Sequence, residues 1–493
     1  MKKNPNIVLI TTDQHRADIR KSEGFEYDVM PFLDSLAKKG VDFKKSYTSM
    51  PLCAPARTSL TTGRYPTAAH VKVNPNLMDN YCSEDIYDVL HRNDYKIGLV
   101  GKDHTFREKD HDIFNLYYGI KELENDENNT EKQKAFDTYR KNLKHLADHK
   151  PTKFDVEDIE PYRLTSKAIE FIKNNQKDSF FLQLGMREPH NPFYAPEPYF
   201  SMFDPTPNET GKEDLVKKGD KYIWQRKIWE ENITDFNKEI KRTKKNYCGM
   251  LKIIDEQIER VYNYLKENEL LENTIIIYVS DHGDFFGEYG LIRKGPGLPE
   301  VLCRIPLIIV GPEIKAKEKK CMEHVSICDI MPTISEIIGE DISDGVQGKS
   351  ILPILMDMDY PKCQYESVYI EQGAGGLYFK NEDIDNLTPE NKGIAEAVTI
   401  DELNSVTQAG KMRAVIKNDW KLTFDMMGKG EMYNLIEDKY ELNNLYDNKD
   451  CGIKKVELLE ELLKSSIRAS DDLPYSGTER HIIKRDKKRN YYQ

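Results

Sequence analysis

The sequence predicts an α/β fold: a large, mostly parallel sheet sandwiched by helices, followed by a smaller C-terminal α+β domain built on an antiparallel sheet. Three observations carry this prediction. Residues 6–12 (NIVLITT) and 274–279 (TIIIYV) are apolar, β-branched runs without alternation, the pattern of strands buried on both faces of a parallel sheet. Amphipathic helical stretches lie between such runs and set up a βαβ rhythm. After about residue 362 the strands become short and alternating, as antiparallel strands with one covered face do. At 493 residues the chain is too long for one ordinary domain, and these shifts divide it into 1–362 and 363–493.

The first strand, 6–12, delivers Asp13 and Gln14 to its carboxyl end, where ligands collect in open α/β sheets. Taken alone, an aspartate there would cap a turn. Residues 30–40 form an amphipathic helix stopped by Gly40, and the next strand begins at Val41. Residues 51–64, PLCAPARTSLTTGR, hold a short helix with Cys53 as its N-cap, Pro55 in the first turn and Gly63 as the stop. Its first turn is expected to aim unpaired N–H groups and the positive dipole end at the Cys53 side chain. Arg57, four residues on, shares that face, so the site suits an anion. A helix over 83–92 with Ser83 as N-cap leads to a strand at 95–100, which ends in Gly101-Lys102-Asp103-His104.

Residues 106–160 are charged and poor in aliphatics and read as an insertion rather than core. A helix at 163–174 and a strand at 179–184 resume the alternation and end at the loop 187–192, REPHNP, which contains His190. A second insertion, 193–247, carries Phe193, Tyr194, Tyr199, Phe200, Trp224 and Trp229, which fit either an aryl-binding pocket or local packing. A helix at 250–261 precedes the strand 274–279, which ends in Ser280-Asp281-His282-Gly283-Asp284. Residues 290–295, GLIRKG, place Lys294 in the loop that follows, and 305–312 and 329–334 add a strand and a helix. The C-terminal part reads as strands at 367–371, 412–416 and 420–424 with a covering helix at 454–470.

The spacing C-x-P-x-R over Cys53, Pro55 and Arg57, followed by T-x-x-x-x-G-R from Thr58 to Arg64, resembles the signature of the type I sulfatases of the alkaline-phosphatase-like superfamily. Further motifs follow in that family's order along nearly the whole chain. They are Asp13-Gln14, the G-K-x-H of Gly101 to His104, the P-H-x-P of Pro189 to Pro192, Asp281-His282, and Lys294. The resemblance implies that Cys53 is oxidised to formylglycine, an aldehyde that hydrates to a gem-diol, with one hydroxyl attacking sulfur. It implies a divalent metal, calcium first and manganese or magnesium as alternatives, bound by Asp13, Gln14, Asp281, His282 and residue 53. Arg57 is expected to hold the nucleophile, Lys102 and Lys294 to bind the sulfate, His190 to protonate the departing oxygen, and His104 to take the proton that regenerates the aldehyde. Gln14 stands where the family often has a second aspartate, and its amide oxygen still suits a hard cation. His282 matches a variant that is also frequent in relatives hydrolysing phosphonate monoesters and phosphodiesters, which makes that the alternative reaction. A non-catalytic metal-binding protein with an unconverted cysteine is the third reading.

Composition narrows the partners. The net charge is −12, with 84 acidic against 72 basic residues, which argues against binding nucleic acid or an anionic membrane through a general positive field. The basic tail at 480–489 reads as a solvated terminus or a subunit contact, so a homo-oligomer stays open. No run approaches the ~18 apolar residues of a membrane span. The eight cysteines contain no C-x-x-C pair and suggest reduced thiols. Together with an N-terminus that lacks a signal-peptide core, this leads to the expectation of a cytoplasmic protein. The expected partners are an anionic sulfate ester and a formylglycine-generating maturation enzyme.

Overall fold

The computed structural model describes residues 4–74, 80–105, 107, 111–295, 297–312, 314–373 and 410–473. Eight strands form the large sheet: β1 (Asn6–Thr12), β2 (Val41–Tyr47), β3 (Lys96–Gly101), β4 (Leu116–Gly119), β5 (Phe180–Gly185), β6 (Thr274–Ser280), β7 (Leu307–Val310) and β8 (Lys319–Ser326). Their order is β4-β3-β5-β1-β6-β7-β2-β8, and β7 alone runs against its neighbours. The sheet is therefore mostly parallel, as the unbroken apolar runs require.

Alternation within each central strand divides two cores. Val8 and Ile10 of β1 face one core with Leu182, Ile276 and Tyr278, while Ile7 and Leu9 face the other with Phe181, Ile275 and Ile277. Helices Glu160–Asn175 and Phe236–Glu267 cover the first face, and Ile86–Arg92 and Ile330–Ile337 the second. Burying each such apolar side chain contributes roughly 1.5–3 kcal/mol. The strands β3, β5, β1 and β6 are thus a rigid base, and because they are parallel their carboxyl ends lie along one edge.

Several local expectations change. Residues 106–160 are not merely peripheral: β4 extends the sheet, and Leu123, Phe136, Phe154 and Ile159 are buried in the first core. A four-residue strand and a helix, Glu131–Asn142, with Phe136 as its one buried apolar residue leave too little apolar periodicity to be noticed. The helix expected from Ser83 begins at Ile86 with Asp85 as N-cap, because Asp85 and Asp88 satisfy each other's backbone N–H groups in a capping box. The aromatics of 193–247 mostly pack: Phe193, Tyr194 and Tyr199 lie in the first core, and Trp224 and Trp229 gather with Phe236 and Ile292, while Tyr199 and Trp224 also border surface cavities.

The second sheet holds β9 (Ser367–Gln372), β10 (Met412–Lys417), β11 (Trp420–Asp425) and β12 (Gly430–Asn434), antiparallel in the order β12-β11-β10-β9. One face packs Ile370, Ala414 and Ile416 against Tyr47, Leu298 and Cys303 of the larger body. The other packs Tyr369, Val415 and Leu422 under Leu458 and Leu462 of helix Gly452–Ala469. Glu371 N–H donates to Ser49 O at 2.8 Å, and Glu441, paired with the fully buried Lys421 at 2.7 Å, accepts from Glu300 N–H of the larger body at 2.8 Å, so the two sheets are fixed against one another. Among the described residues no helix is long and apolar enough to cross a membrane. The basic stretch 480–489 lies outside the described residues.

Candidate active site

Four parallel strand ends and one helix start converge. β1 ends at Asp13 and Gln14, β6 at Asp281 and His282, β3 at Lys102, and β5 continues to the loop bearing His190. Register explains the convergence: Thr11 pairs with Gly185 and Val279, Thr12 with Ser280, and Gly101 with Gly185, so the polar residues that follow fall at one level. Gly101 (φ +96) and Gly185 make this possible. A Cβ on Gly101 would lie 2.1 Å from Gly185 O, and one on Gly185 would lie 2.3 Å from Lys102 O.

The helix Cys53–Thr62 starts one residue earlier than expected relative to its cap. Leu52 is the N-cap and Cys53 the first helical residue, so the thiol is free to face the strand ends instead of bonding its own backbone. The first turn is also less open than expected, because Ala54 N–H donates to Asn74 Oδ1 at 2.9 Å. Gly63, at φ +65, ends the helix as the sequence indicates.

Cys53 Sγ lies 3.1 Å from Lys294 Nζ, 3.4 Å from His282 Nε2 and 3.5 Å from Asp13 Oδ1. His282 Nε2 lies 3.5 Å from Asp13 Oδ1 and 3.7 Å from Asp281 Oδ1. His282 Nδ1–H donates to Gly283 O at 2.9 Å, which aims Nε2 at the cluster, where it donates to the Cys53 sulfur when protonated and can ligate a cation when deprotonated. Ligand atoms held at about 2.3–2.6 Å from a cation and about 90° apart are separated by about 3.3–3.7 Å. The four donors of Asp13, Cys53, Asp281 and His282 thus have the spacing of a coordination shell. Gln14 is held at φ +69. Its Nε2 donates to Asp284 Oδ2 at 2.6 Å, so its Oε1 is turned inward, 3.4 Å from Lys294 Nζ. The residues present fit a hard divalent cation with one nitrogen ligand.

Cationic groups surround this shell. Lys102 Nζ contacts Asp13 Oδ2 directly. Arg57, fully buried, donates through Nε to Asp281 Oδ2 at 2.8 Å and through Nη1 to Lys102 O at 3.0 Å; its Nη2 has no hydrogen-bond partner and lies 4.0 Å from Asp13 Oδ2. Arg57 therefore orients a carboxylate of the cluster, and it lies near enough to residue 53 to act on its charge. Burial and Asp13 push the Cys53 thiol up, but Lys102, Lys294 and the His282 hydrogen bond outweigh them and bring it down to about 7. Burial opposes ionisation of Asp13 too, yet the Lys102 and Lys294 charges hold its carboxyl well below the usual range.

The two remaining histidines stand outside the shell. His190 is half-buried, with Nδ1–H donating to Asn191 O at 2.6 Å. Burial and then the Lys294 and Lys102 charges, against the opposing pull of Asp13, keep it neutral well below the ordinary histidine range. His104 follows β3 at φ +61 and is exposed at the surface, while desolvation by the surrounding protein and the Lys102 and Arg57 charges lower its pKa strongly. Sequence reasoning missed Asp284, which sets the Gln14 amide and lies two residues past His282 in the same buried turn. It also missed Tyr247, whose hydroxyl donates to Gln14 O at 2.5 Å. A tyrosine inside a long helix carries no local signal of that kind.

A family model described as "Sulfatase" matches residues 5–340 of the chain. An arylsulfatase of Clostridium perfringens is 28% identical over 505 residues, covering 95% of this chain and 95% of its own length. The multifunctional alkaline phosphatase superfamily protein PehA of Trinickia caryophylli is 28% identical over 398 residues, covering 71% of this chain and 77% of its own length. Among solved structures, the phosphonate monoester hydrolase of Agrobacterium radiobacter superposes with a TM-score of 0.73 at 20% identity over 94% of this chain and 96% of that one, a likeness of fold.

Proposed function

The chain belongs to the sulfatase family and is a sulfatase, and from that premise we propose that it cleaves sulfate monoesters of aryl or carbohydrate alcohols at the Cys53 cluster. The observation that carries the reading is the meeting of Cys53 with two carboxylates, an imidazole and two ammonium groups in one buried site. Asp13, Gln14, Asp281, His282 and residue 53 would hold one divalent metal, calcium by its preference for oxygen donors, with manganese or magnesium as alternatives. Formylglycine at position 53 would supply a hydroxyl nucleophile toward sulfur and the metal would supply neutralising charge.

The rest falls to this chain's own residues. Lys102 and Lys294 place two ammonium groups beside residue 53, where the sulfate's charge must be balanced while its bond to the alcohol breaks. His190, with Nδ1 committed to Asn191 O, has Nε2 left to carry a proton to the departing oxygen. It is neutral beside the Lys294 and Lys102 charges, and the arriving anion favours its protonation. His104 takes up the proton released at residue 53 when the aldehyde is restored. Arg57 keeps Asp281 fixed throughout. Conversion of Cys53 requires a maturation enzyme as partner. A cytoplasmic location is the reading favoured by eight cysteines that all remain unpaired.

A second reading, hydrolysis of phosphonate monoesters or phosphodiesters, is favoured by His282 among the donors. Matched aryl sulfate and aryl phosphonate esters decide between them by kcat/KM. The sulfatase reading expects a mass for the peptide spanning residue 53 that corresponds to formylglycine and about one metal per chain by elemental analysis. It also expects Cys53→Ser, made in a host that oxidises only cysteine, to be folded and inactive. Full turnover by Cys53→Ser would remove the formylglycine mechanism, and a metal-free wild type with intact cysteine would support a non-catalytic protein.

A further inference from the structure

Beside His190 lies a cavity of about 430 Å³, within the size range of small-ligand pockets. It is walled by the end of helix Glu131–Asn142 and by the loop that carries His190, and His190 itself is part of the lining. Its charge is unusual for so acidic a chain. Four cationic side chains, Arg140, Lys141, Lys144 and Arg187, border the cavity against one lining carboxylate, Glu124. Glu124 is already shared by Arg140 at 2.8 Å, Lys141 at 2.7 Å and Arg187 at 3.8 Å. Glu160, buried behind the wall, takes Arg187 at 3.2 Å and Arg140 at 3.9 Å. A third carboxyl, Glu188, is buried beside Arg187 and also acts on Arg140, but burial and Glu160 raise it to about 7, so it offsets only part of one charge. The four cations therefore keep a surplus of more than one positive charge, and Lys144, exposed at the rim, has no ion-pair partner among the described residues. The floor adds none: His145, bonded to Asn191 Nδ2 through Nδ1 at 2.5 Å, is held neutral by burial and by the Arg293 and Lys294 charges, at about 4. His190 faces the departing alcohol in the reading above, so whatever fills this cavity is attached to the alcohol.

We propose that the cavity is a subsite for a second oxyanion, a carboxylate or a further sulfate, carried on the alcohol portion of the substrate, which makes the preferred substrate a polyanionic sulfated saccharide. The proposal rests on the sulfatase reading. Lys144 and Lys141 form its outer contacts and Arg187 its inner one. A neutral aryl group would leave the surplus charge unanswered.

The matured enzyme is assayed on 4-nitrophenyl sulfate, a monosulfated monosaccharide, a disulfated monosaccharide and a sulfated disaccharide bearing a uronate; the last two distinguish the two anion sources. Charge-assisted hydrogen bonds of this kind predict a preference of about 10- to 100-fold in kcat/KM for at least one dianionic substrate over the monosulfated one. Raising ionic strength should erode that preference through KM. The double variant Lys141→Ala/Lys144→Ala, both exposed positions, should lose about tenfold on the preferred substrate through KM while staying within about twofold on 4-nitrophenyl sulfate. Equal rates on mono- and dianionic saccharides, or equal losses by the variant on every ester, would overturn the subsite while leaving the sulfatase reading intact. Failure of matured protein to turn over any sulfate ester, 4-nitrophenyl sulfate included, would overturn the sulfatase reading and the subsite with it.

Discussion

Replacing Lys294 by methionine should return the Cys53 thiol of the unconverted, metal-free protein to the range of an ordinary buried cysteine. The lysine Nζ stands 3.1 Å from Sγ. At an effective dielectric constant of about 20, two unit charges at that distance interact by ~5 kcal/mol. That corresponds to roughly 4 pH units of titration. Lys102 remains nearby and water fills the space left by the ammonium, so the observed change should be smaller, about 2 units or more. The sign follows from charge: the ammonium favours the thiolate, so its removal moves the midpoint upward from about 7, to or beyond the ordinary 9.0. The assay is the thiolate ultraviolet absorbance as a function of pH, with a Cys53→Ser titration subtracted to remove the other seven cysteines, in protein stripped with chelator. Lys294→Gln serves as a control that keeps a polar side chain without the charge and should behave like methionine. A midpoint unchanged within half a unit in both variants would refute the assignment of Lys294 as the charge partner of residue 53, and with it the claim that this lysine neutralises the sulfate.

Asp284→Asn should weaken calcium binding by about 10- to 100-fold in calorimetric titration, because Asp284 holds the Gln14 amide at 2.6 Å with its oxygen inward; unchanged affinity would take Gln14 out of the ligand set. His190→Ala should slow esters of poor alcohol leaving groups far more than activated aryl esters, which depart without a proton. His104→Ala should instead slow all esters alike and give a first-turnover burst of alcohol, with the sulfate retained on residue 53 and visible by mass spectrometry; the opposite pattern would reverse the two roles. Lys421→Ala should cost about 3 kcal/mol in denaturant unfolding, since it removes the 2.7 Å partner of the buried Glu441 and leaves it Lys218 at 3.8 Å.

The sequence by itself determined the elements whose signal is local. Continuous apolar runs marked β1, β5 and β6 within a residue of their observed bounds, because a strand covered on both faces has no polar side to blur it. The same runs identified Asp13 and Asp281, since the residue after a buried parallel strand stands at the sheet's working edge. Gly63 as a helix stop and the shift to an antiparallel C-terminal sheet were legible in the same way, whereas Lys102 and Lys294 stood out only through the resemblance to the sulfatase motifs. What only the tertiary structure decided depends on contacts between residues far apart in the chain. That Arg57 bonds Asp281, 224 positions away, that Asp284 turns Gln14 inward, and that Asn74 closes the first turn of the Cys53 helix are choices among partners that no spacing records. β7 runs antiparallel between two parallel strands, and a four-residue apolar run reads identically in either direction. The charged segment 106–160 hid both a sheet edge and a cationic cavity wall, because its composition reports an exposed surface while its few apolar residues, Leu123 and Phe136 among them, settle where that surface lies. Burial and hydrogen bonding fix such positions through the summed geometry of the whole fold, and that sum is written in no single stretch of sequence.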